Sequence, residues 1–493
     1  MTAVVSPEAL LVAALVVPFV GACLIPIFRN QPNVRETVTL ATAVLLFLAV
    51  AGIAGPVLDG ARPEATGIEV FRGVAFAFKV EPLGMIFALV ASSLWIVNSI
   101  YSIGYMRAHD EPRQTTYYVC FAVALGSTMG VAFAKNLFTL FLFYEALTIS
   151  TYPLVTHKRD AEAMRSGRLY LLLLLGTSMA LFLPAIFATY ALAGTTDFAP
   201  GGILGGAVAG WTMSALLVLF IFGIGKAAVM PVHFWLPAAM VAPTPVSALL
   251  HAVAVVKAGV FTVVKVIVMI FGIEALAETG QSSWLTVVAG ATVIVASLVA
   301  LKQDNLKRRL AYSTVSQLSY VILGAAILTP ISVVGAALHI AAHAWCKITL
   351  FFAAGSISVS THLTEVSQLD GIGRRMPWTM TAFAIGALGM IGLPPTAGFL
   401  GKWFMLMGAM ETANWFAVVA MIVSTVLNAG YLLPIVVRAF FRAPPGESSA
   451  YATNPGEAPW PIVLALTATA TGAVALFFLP GIPLALSKMM IGP

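Results

Sequence analysis

Charge is scarce in this sequence. Of 493 residues, 9% are Asp, Glu, Lys or Arg and 60% are hydrophobic, where a soluble protein carries about 25% charged residues. That excludes an ordinary soluble fold, and with it any domain count from length, because a membrane bundle can grow as one unit. Cysteine is scarce too. Cys23, Cys120 and Cys346 all sit in apolar stretches, with no metal spacing and no disulfide framework. There is no glycine fingerprint after a strand, no cysteine cluster and no haem motif. No cofactor is therefore expected, and an enzyme label would belong to an assembly rather than to this chain. The start of the chain lacks a basic region followed by a cleavage site, so Leu10–Phe28 is expected to be a retained helix. The net charge is +6, but the basic residues are dispersed in short loops, which is no signal for a nucleic-acid partner.

What is abundant is apolar runs of spanning length, about 20 residues each. They fall at 7–28, 36–58, 82–105, 115–133, 136–156, 165–193, 209–231, 244–272, 283–302, 309–328, 331–358, 378–410, 413–441 and 459–479, which makes fourteen. The expected fold is an all-α polytopic membrane protein. The stretch Gly67–Lys79, β-branched and aromatic with a central Gly73, reads as a small extramembrane hairpin. Loops after odd-numbered spans hold sixteen Lys and Arg, and those after even-numbered spans, with the tail, hold five. The positive-inside rule then makes the odd loops cytoplasmic and leaves both termini outside.

The stretch 221–265 organises the rest. Two apolar segments flank a run with Pro231, Pro237, Pro243 and Pro245, and each carries a lysine, Lys226 and Lys257. A charge at the centre of a membrane helix costs about 2.5–3.5 kcal/mol, so it usually marks a function. A broken helix is tolerated where it faces protein or a wet cavity. Span twelve is too long for one straight crossing and contains Gly392-Leu-Pro-Pro-Thr-Ala-Gly398, followed by Lys402. Two proline-broken spans five apart, each with a lysine, suggest an inverted repeat.

Glu145 lies mid-helix in span five and must protonate, meet water or pair, with Lys226 as the candidate partner. In span eleven His339, His343 and Lys347 share one face at i, i+4, i+8. Histidine titrates near neutral pH and suits a proton relay. The alternative is that these histidines bond to neighbouring backbone. A metal site is disfavoured, since HIAAH lacks the glutamate of a zincin motif. His251 is six residues from Lys257, about 240° round a regular helix, yet it can line a path between helices. Lys265, near a helix end, reads either as part of such a path or as a snorkelling side chain. Ser313, Thr314, Ser316 and Ser319 line span ten as pore hydroxyls or as interhelical hydrogen bonds.

At these residues the sequence resembles the antiporter-like subunits shared by Mrp-type sodium/proton antiporters and respiratory complex I. The motifs are FYEALTISTYPLV around Glu145, GKAAVMPVHFWLPAAMVAPTPVSALLHAVAVVKAGVF around Lys226 and Lys257, DNLKRRLAYSTVSQLSY from Asp304, HIAAHAWCKITLFFAAGSI from His339 and GLPPTAGFLGKW ending near Lys402. Together they are specific, and the resemblance covers roughly residues 80–440. It implies fourteen helices, with helices 7 and 12 discontinuous. N-terminal helices 1–3 would occupy 1–114, a first five-helix repeat 115–272, a second, inverted repeat 283–442, and helix 14 with its tail 459–493.

The resemblance also implies roles. Glu145 would pair with Lys226 and modulate it, and Lys257 would relay protons at the bilayer centre. His251, His339, His343 and Lys347 would pass the proton on, and Lys402 would gate exchange with the far side. Such a chain works beside other integral membrane subunits in a prokaryotic inner membrane, moving protons and Na+. The eighth helix is most similar to the D-type Mrp subunit. The chain is expected to lack the long lateral helix of the largest complex I relative, and it has Lys402 where one complex I type has glutamate. Cys346 before Lys347 is a mild departure, since relatives have a bulkier residue there. Complex I, membrane hydrogenase and inorganic-carbon uptake assemblies reuse the module, so a proton-pumping role in one of those is the alternative.

Overall fold

The computed structural model describes residues 6–71, 74–206, 208, 210–444 and 456–491. Its helices, in order, are α1 (Pro7–Phe28), α2 (Pro32–Leu58), α3 (Pro82–Ala108), α4 (Gln114–Ala132), α5 (Leu137–Val155), α6 (Ala161–Ala193), α7 (Trp211–Gly223) and α8 (Thr244–Phe271). Then come α9 (Ser283–Lys302), α10 (Leu306–Ala326), α11 (Pro330–Thr361), α12 (Pro377–Ile391), α13 (Ala397–Glu411), α14 (Trp415–Phe441), α15 (Trp460–Phe478) and α16 (Gly481–Met489). Proline opens α1, α2, α3, α11 and α12, where its missing N–H is no loss and its fixed φ suits the first turn. Thr329 caps α11 through a reciprocal pair of bonds with Ser332, and Asn136 caps α5 by accepting from the Thr139 N–H at 2.8 Å.

Among the described residues, eleven helices are long and apolar enough to cross a membrane: α1–α6, α8, α9, α11, α14 and α15. The other three expected spans fall on shorter or more polar helices. These are α7, α10 with its cluster of basic residues and hydroxyls, and the pair α12–α13. The short α16 was not anticipated.

The most apolar window of α8 is 100% buried within the protein and that of α11 is 89% buried, against 28% for α6. Lipid therefore contacts the periphery, while α8 and α11, which carry most of the intramembrane charges, are sheathed by other helices. Strands β1 (Glu64–Phe71) and β2 (Val74–Lys79) pair antiparallel, with Glu64 opposite Lys79. The hairpin thus begins at Glu64 rather than Gly67. Gly73, expected at its centre, lies outside the described residues, as do Arg72 and residues 1–5 and 492–493 of the outer segments. Lys135 and Lys79 each lie 2.8 Å from Glu64, which ties the hairpin to the start of α5. The hydrogen bond from Lys135, then that from Lys79, holds the Glu64 carboxyl below its usual range.

Two interruptions were expected; π turns at Ser178–Phe182 of α6 and at Leu249–Val253 and Ile267–Phe271 of α8 were not. α7 ends at Gly223, and the chain passes through a single turn, Gly225–Ala227, with Ala228 at φ 54°. α12 ends at Ile391, and Gly392 at φ 90° leads through Leu393–Thr396 into α13. A positive φ of that size favours glycine, which has no Cβ to clash. One of the π turns of α8 carries His251. Leu249–Val253 forms a π turn, the Ala254 N–H donates to the Leu249 carbonyl at 2.9 Å, and regular helix resumes at Val255. π turns inside helices are often found at functional sites.

The turn that follows α7 is packed closely against the regular part of α8. A Cβ on Gly259 of α8 would overlap the backbone carbonyl carbon of Lys226. Gly259→Ala should therefore overpack this contact at about 1–3 kcal/mol, lowering the melting temperature of the purified complex. Gly176→Ala is the control, since nothing lies within 4 Å of its added Cβ. Equal melting of both variants with wild type would refute the close approach.

Candidate ion-translocation site

The side chains singled out in the sequence come together inside the bundle. Lys226, Lys257, Lys347, His251, His339 and His343 are fully buried, Glu145 and Lys402 nearly so. Taking an ammonium or carboxylate out of water is expensive unless it is hydrogen-bonded, so the partners of each group define the site.

Lys226 sits in the turn that follows α7. Its Nζ donates to the Tyr144 carbonyl at 2.8 Å and to Thr148 Oγ1 at 2.5 Å, and lies 3.2 Å from the centre of the Tyr144 ring. The Lys226 N–H also donates to the Tyr144 hydroxyl at 3.1 Å. The expected direct pair with Glu145 is not formed. Both Glu145 oxygens are buried, and neither closes a full hydrogen bond, though the Ser178 side chain lies beside the carboxylate. The reason is local. Tyr144 and Thr148, four apart on α5, take the ammonium, while Glu145 is rotated about 100° from Tyr144 round the helix.

Lys402 is held differently. From α13 it reaches back across the break and donates to the last carbonyls of α12, Met390 at 2.6 Å and Ile391 at 3.1 Å. A cation at a helix C-terminus meets the negative end of the macrodipole and its unpaired carbonyls. It also lies 4.5 Å from the Tyr320 ring centre. Both broken spans thus place a lysine over a tyrosine, from α5 in one case and α10 in the other.

Between these ends lies the α8–α11 contact. Lys257 Nζ is 2.6 Å from His343 Nδ1. At that separation one nitrogen must donate and the other accept, so the pair holds a single proton between them. Two positive charges 2.6 Å apart would repel by about 6 kcal/mol even at an effective dielectric constant of 20. One turn back on α11, His339 Nε2 meets Gln317 Oε1 of α10 at 3.0 Å. One turn on, Lys347 Nζ donates to Ser313 Oγ at 2.8 Å. The Tyr431 hydroxyl of α14 donates to Asn428 Oδ1 and lies 3.0 Å from Ser313 Oγ, whose hydroxyl it can accept. The one-face reading of α11 holds, and that face meets α8 and α10.

His251 sits in the π turn of α8, its ring against Phe351 and neither nitrogen bonded among the described residues. The 240° offset from Lys257 does not apply, because the π turn and the bend at Ala254 lie between them. Lys265 does not snorkel. It is 1% exposed, ion-paired with Glu81 at 2.8 Å, and donates to the Ala134 carbonyl at 2.8 Å.

Sequence reading missed Glu81, Gln317, Asn428 and Tyr431. Glu81 had a signal, a carboxylate directly before the proline that opens α3. Gln317 stood among the hydroxyls of span ten. Asn428 and Tyr431 had none, being ordinary polar residues of an apolar span.

The relatives agree with this architecture. The NADH-quinone oxidoreductase subunit N of Desulforudis audaxviator is 31% identical over 374 residues, 74% of this chain and 73% of that one. A relative from Rhizobium meliloti, described as a probable K(+)/H(+) antiporter, is 30% identical over 458 residues, 89% of this chain but 44% of that longer protein. In the solved Mrp complex from Dietzia sp. DQ12-45-1b, one chain superposes with a TM-score of 0.85 at 22% identity. The superposition covers 100% of this chain and 97% of that one, and at such identity the likeness is one of fold. The family model described as NADH:quinone oxidoreductase/Mrp antiporter, TM, matches residues 134–428, from the start of α5 to the Asn428 that bonds Tyr431, and the chain belongs to that family.

Proposed function

We propose that this chain is the proton-translocating subunit of a multi-subunit monovalent cation/proton antiporter of Mrp type, with Na+ as the exchanged cation. The observation that carries the reading is the buried array from Lys226 through Lys257–His343 to Lys402, anchored at helix breaks on both sides. A static structural role would favour closed ion pairs, as at Lys265–Glu81. Here Glu145 closes no ion pair with Lys226, and His251, one nitrogen each of His339 and His343, and Gln317 Nε2 carry no bond among the described residues. Buried polar atoms of this kind call for ordered water, and a proton can pass along water between them.

In this reading Lys257 relays at the bilayer centre, receiving a proton by way of His251 and exchanging it with His343. His339 and Lys347 carry it along α11, and Lys402 controls exchange at the α12–α13 break. Glu145 biases Lys226 through space, and a shift of either group reorganises the Tyr144 and Thr148 contacts. Fourteen crossings in two inverted five-helix repeats, 115–272 and 283–442, fit the paired breaks and paired lysine–tyrosine contacts. The charge bias supports both termini outside a prokaryotic inner membrane, with other integral subunits as neighbours. The alternative is a proton-pumping membrane subunit of a complex I-like NADH:quinone oxidoreductase, membrane hydrogenase or inorganic-carbon uptake complex. The match to the D. audaxviator protein favours it.

The test is dissipation of a pH gradient by added cation, in everted vesicles from antiporter-deficient cells expressing the whole operon. Wild type should respond to Na+. A response to K+ alone would change the cation, and a gradient built by NADH oxidation with no cation response would move the chain to the redox reading. Lys257→Ala should lose exchange at least tenfold with the complex intact on a native gel. Exchange at the wild-type rate would reduce the array to structural pairs. Glu145→Gln should slow exchange about tenfold, while Glu145→Asp keeps most of it. If Gln and Asp behave alike, the carboxylate charge is irrelevant.

A further inference from the structure

At the end of the bundle opposite the hairpin lies a polar vestibule of ≈ 800 Å3. Its walls include Tyr105, Lys158, Arg165, Thr244, Lys307 and Glu365. Tyr105, Lys158 and Glu365 lie at the end of an odd-numbered span or in the loop after it, and Arg165, Thr244 and Lys307 lie near the starts of α6, α8 and α10, so the vestibule faces the side that the charge bias makes cytoplasmic. Its floor is closed by three contacts. Lys307 Nζ donates to the Ala242 carbonyl at 2.6 Å. The Tyr105 side chain meets Thr244. A Cβ on Gly355 of α11 would overlap the Tyr101 hydroxyl and lie 2.7 Å from Thr244 Cγ2, so these side chains crowd one point.

Below that floor α3 and α8 run antiparallel and touch. Asn98 is seven residues in from Tyr105, and His251 is seven residues in from Thr244. At 1.5 Å per residue both lie about 10 Å beneath the floor. Asn98 is fully buried, and neither its Oδ1 nor its Nδ2 has a partner among the described residues. His251 is likewise buried with both ring nitrogens unpartnered. Asn98 continues a buried polar face of α3 that runs Ser92, Trp95, Asn98, Ser102, Tyr105, a spacing of three and four. Polar side chains this deep, on helices that touch and with donors and acceptors unspent, are rare unless water or a transported ion meets them.

We propose that this vestibule is the entry site for the ions this chain moves, and that Asn98 of α3 links its floor to His251 while Lys307 holds the floor shut. Asn98 is a positioning residue. It orders the water between Tyr105–Thr244 and His251, and does not itself exchange a proton. The proposal rests on the translocation reading above and adds to it a helix outside both expected repeats.

Two variants in the whole complex test it, in the same everted vesicles, where the vestibule side faces the medium. Asn98→Leu keeps the shape and removes the polar atoms, and should slow exchange at least tenfold with normal assembly. Asn98→Ser, which can still bond water, should recover to within about threefold of wild type. Ser358→Cys lies on the vestibule wall. An impermeant charged methanethiosulfonate should label it and cut its exchange several-fold relative to the same vesicles before labelling, with no such loss in wild type, which carries only the natural cysteines. Wild-type rates in Asn98→Leu, or undiminished exchange after complete labelling of Ser358→Cys, would overturn the proposal. If Asn98→Leu fails to assemble, the labelling result decides. Absence of cation exchange in wild type strikes the antiporter reading instead, and the same two variants are then scored on redox-driven proton uptake.

Discussion

A lysine ammonium withdrawn from water must be met by lone pairs, and in a helical bundle nearly every carbonyl lone pair is already committed to its own helix. The fold resolves this by leaving carbonyls free where charges have to sit. Lys402 is satisfied by the last two carbonyls of α12, which are free because Gly392 and the prolines after it end the helix. Lys265 takes the Ala134 carbonyl in the link between α4 and α5. Lys226 and Lys347 add a hydroxyl, from Thr148 and Ser313, to a carbonyl within a continuous helix. Lys402 is thus met by a helix end, Lys265 by a loop, and Lys226 and Lys347 by a hydroxyl and carbonyl on a neighbouring helix.

The central pair is of another kind. Lys257, just past the bend in α8 at Ala254, has the His343 imidazole as its hydrogen-bond partner among the described residues. A nitrogen-to-nitrogen contact at 2.6 Å accommodates one proton and resists a second. The acceptors of Lys226 and Lys402 can be supplied whether or not a neighbour is charged. Those of Lys257 depend on the protonation of His343, so this pair feels the state of the rest of the array most directly.

Much of this was legible in the sequence, for a physical reason. Charges are so disfavoured in hydrocarbon that each one stands out against its apolar background, and glycine and proline mark the breaks at spans seven and twelve without ambiguity. The periodicity of His339, His343 and Lys347 placed them on one face, and that face is the one turned to α8 and α10. What stayed hidden depends on rotation and distance. Glu145 and Lys226 looked like a pair because each needed a counter-charge, but Tyr144 and Thr148 on the same helix take the lysine first. The π turn at Leu249–Val253 has no proline or glycine to announce it. It invalidated the helical-wheel angle between His251 and Lys257. Lys265 looked like a snorkelling residue because Glu81 lies 184 positions away, at the head of another helix.

The same constraint bears on how an array of this kind could be driven. Because Lys402 bridges α13 to the end of α12, any displacement of one against the other changes how many carbonyls it meets, and so the stability of its charge. Because Gly259 brings α8 against the Lys226 turn without an intervening side chain, a shift of α8 is felt there with no slack to absorb it. Packed interiors transmit such displacements rather than dissipating them. A force applied at either break therefore reaches the Lys257–His343 proton through rigid contacts. That holds for cation binding in an antiporter and for a neighbouring protein in a redox pump alike. On the proposed reading, one chain design can then serve assemblies with different energy sources, its share being the coupling between backbone breaks and buried protons.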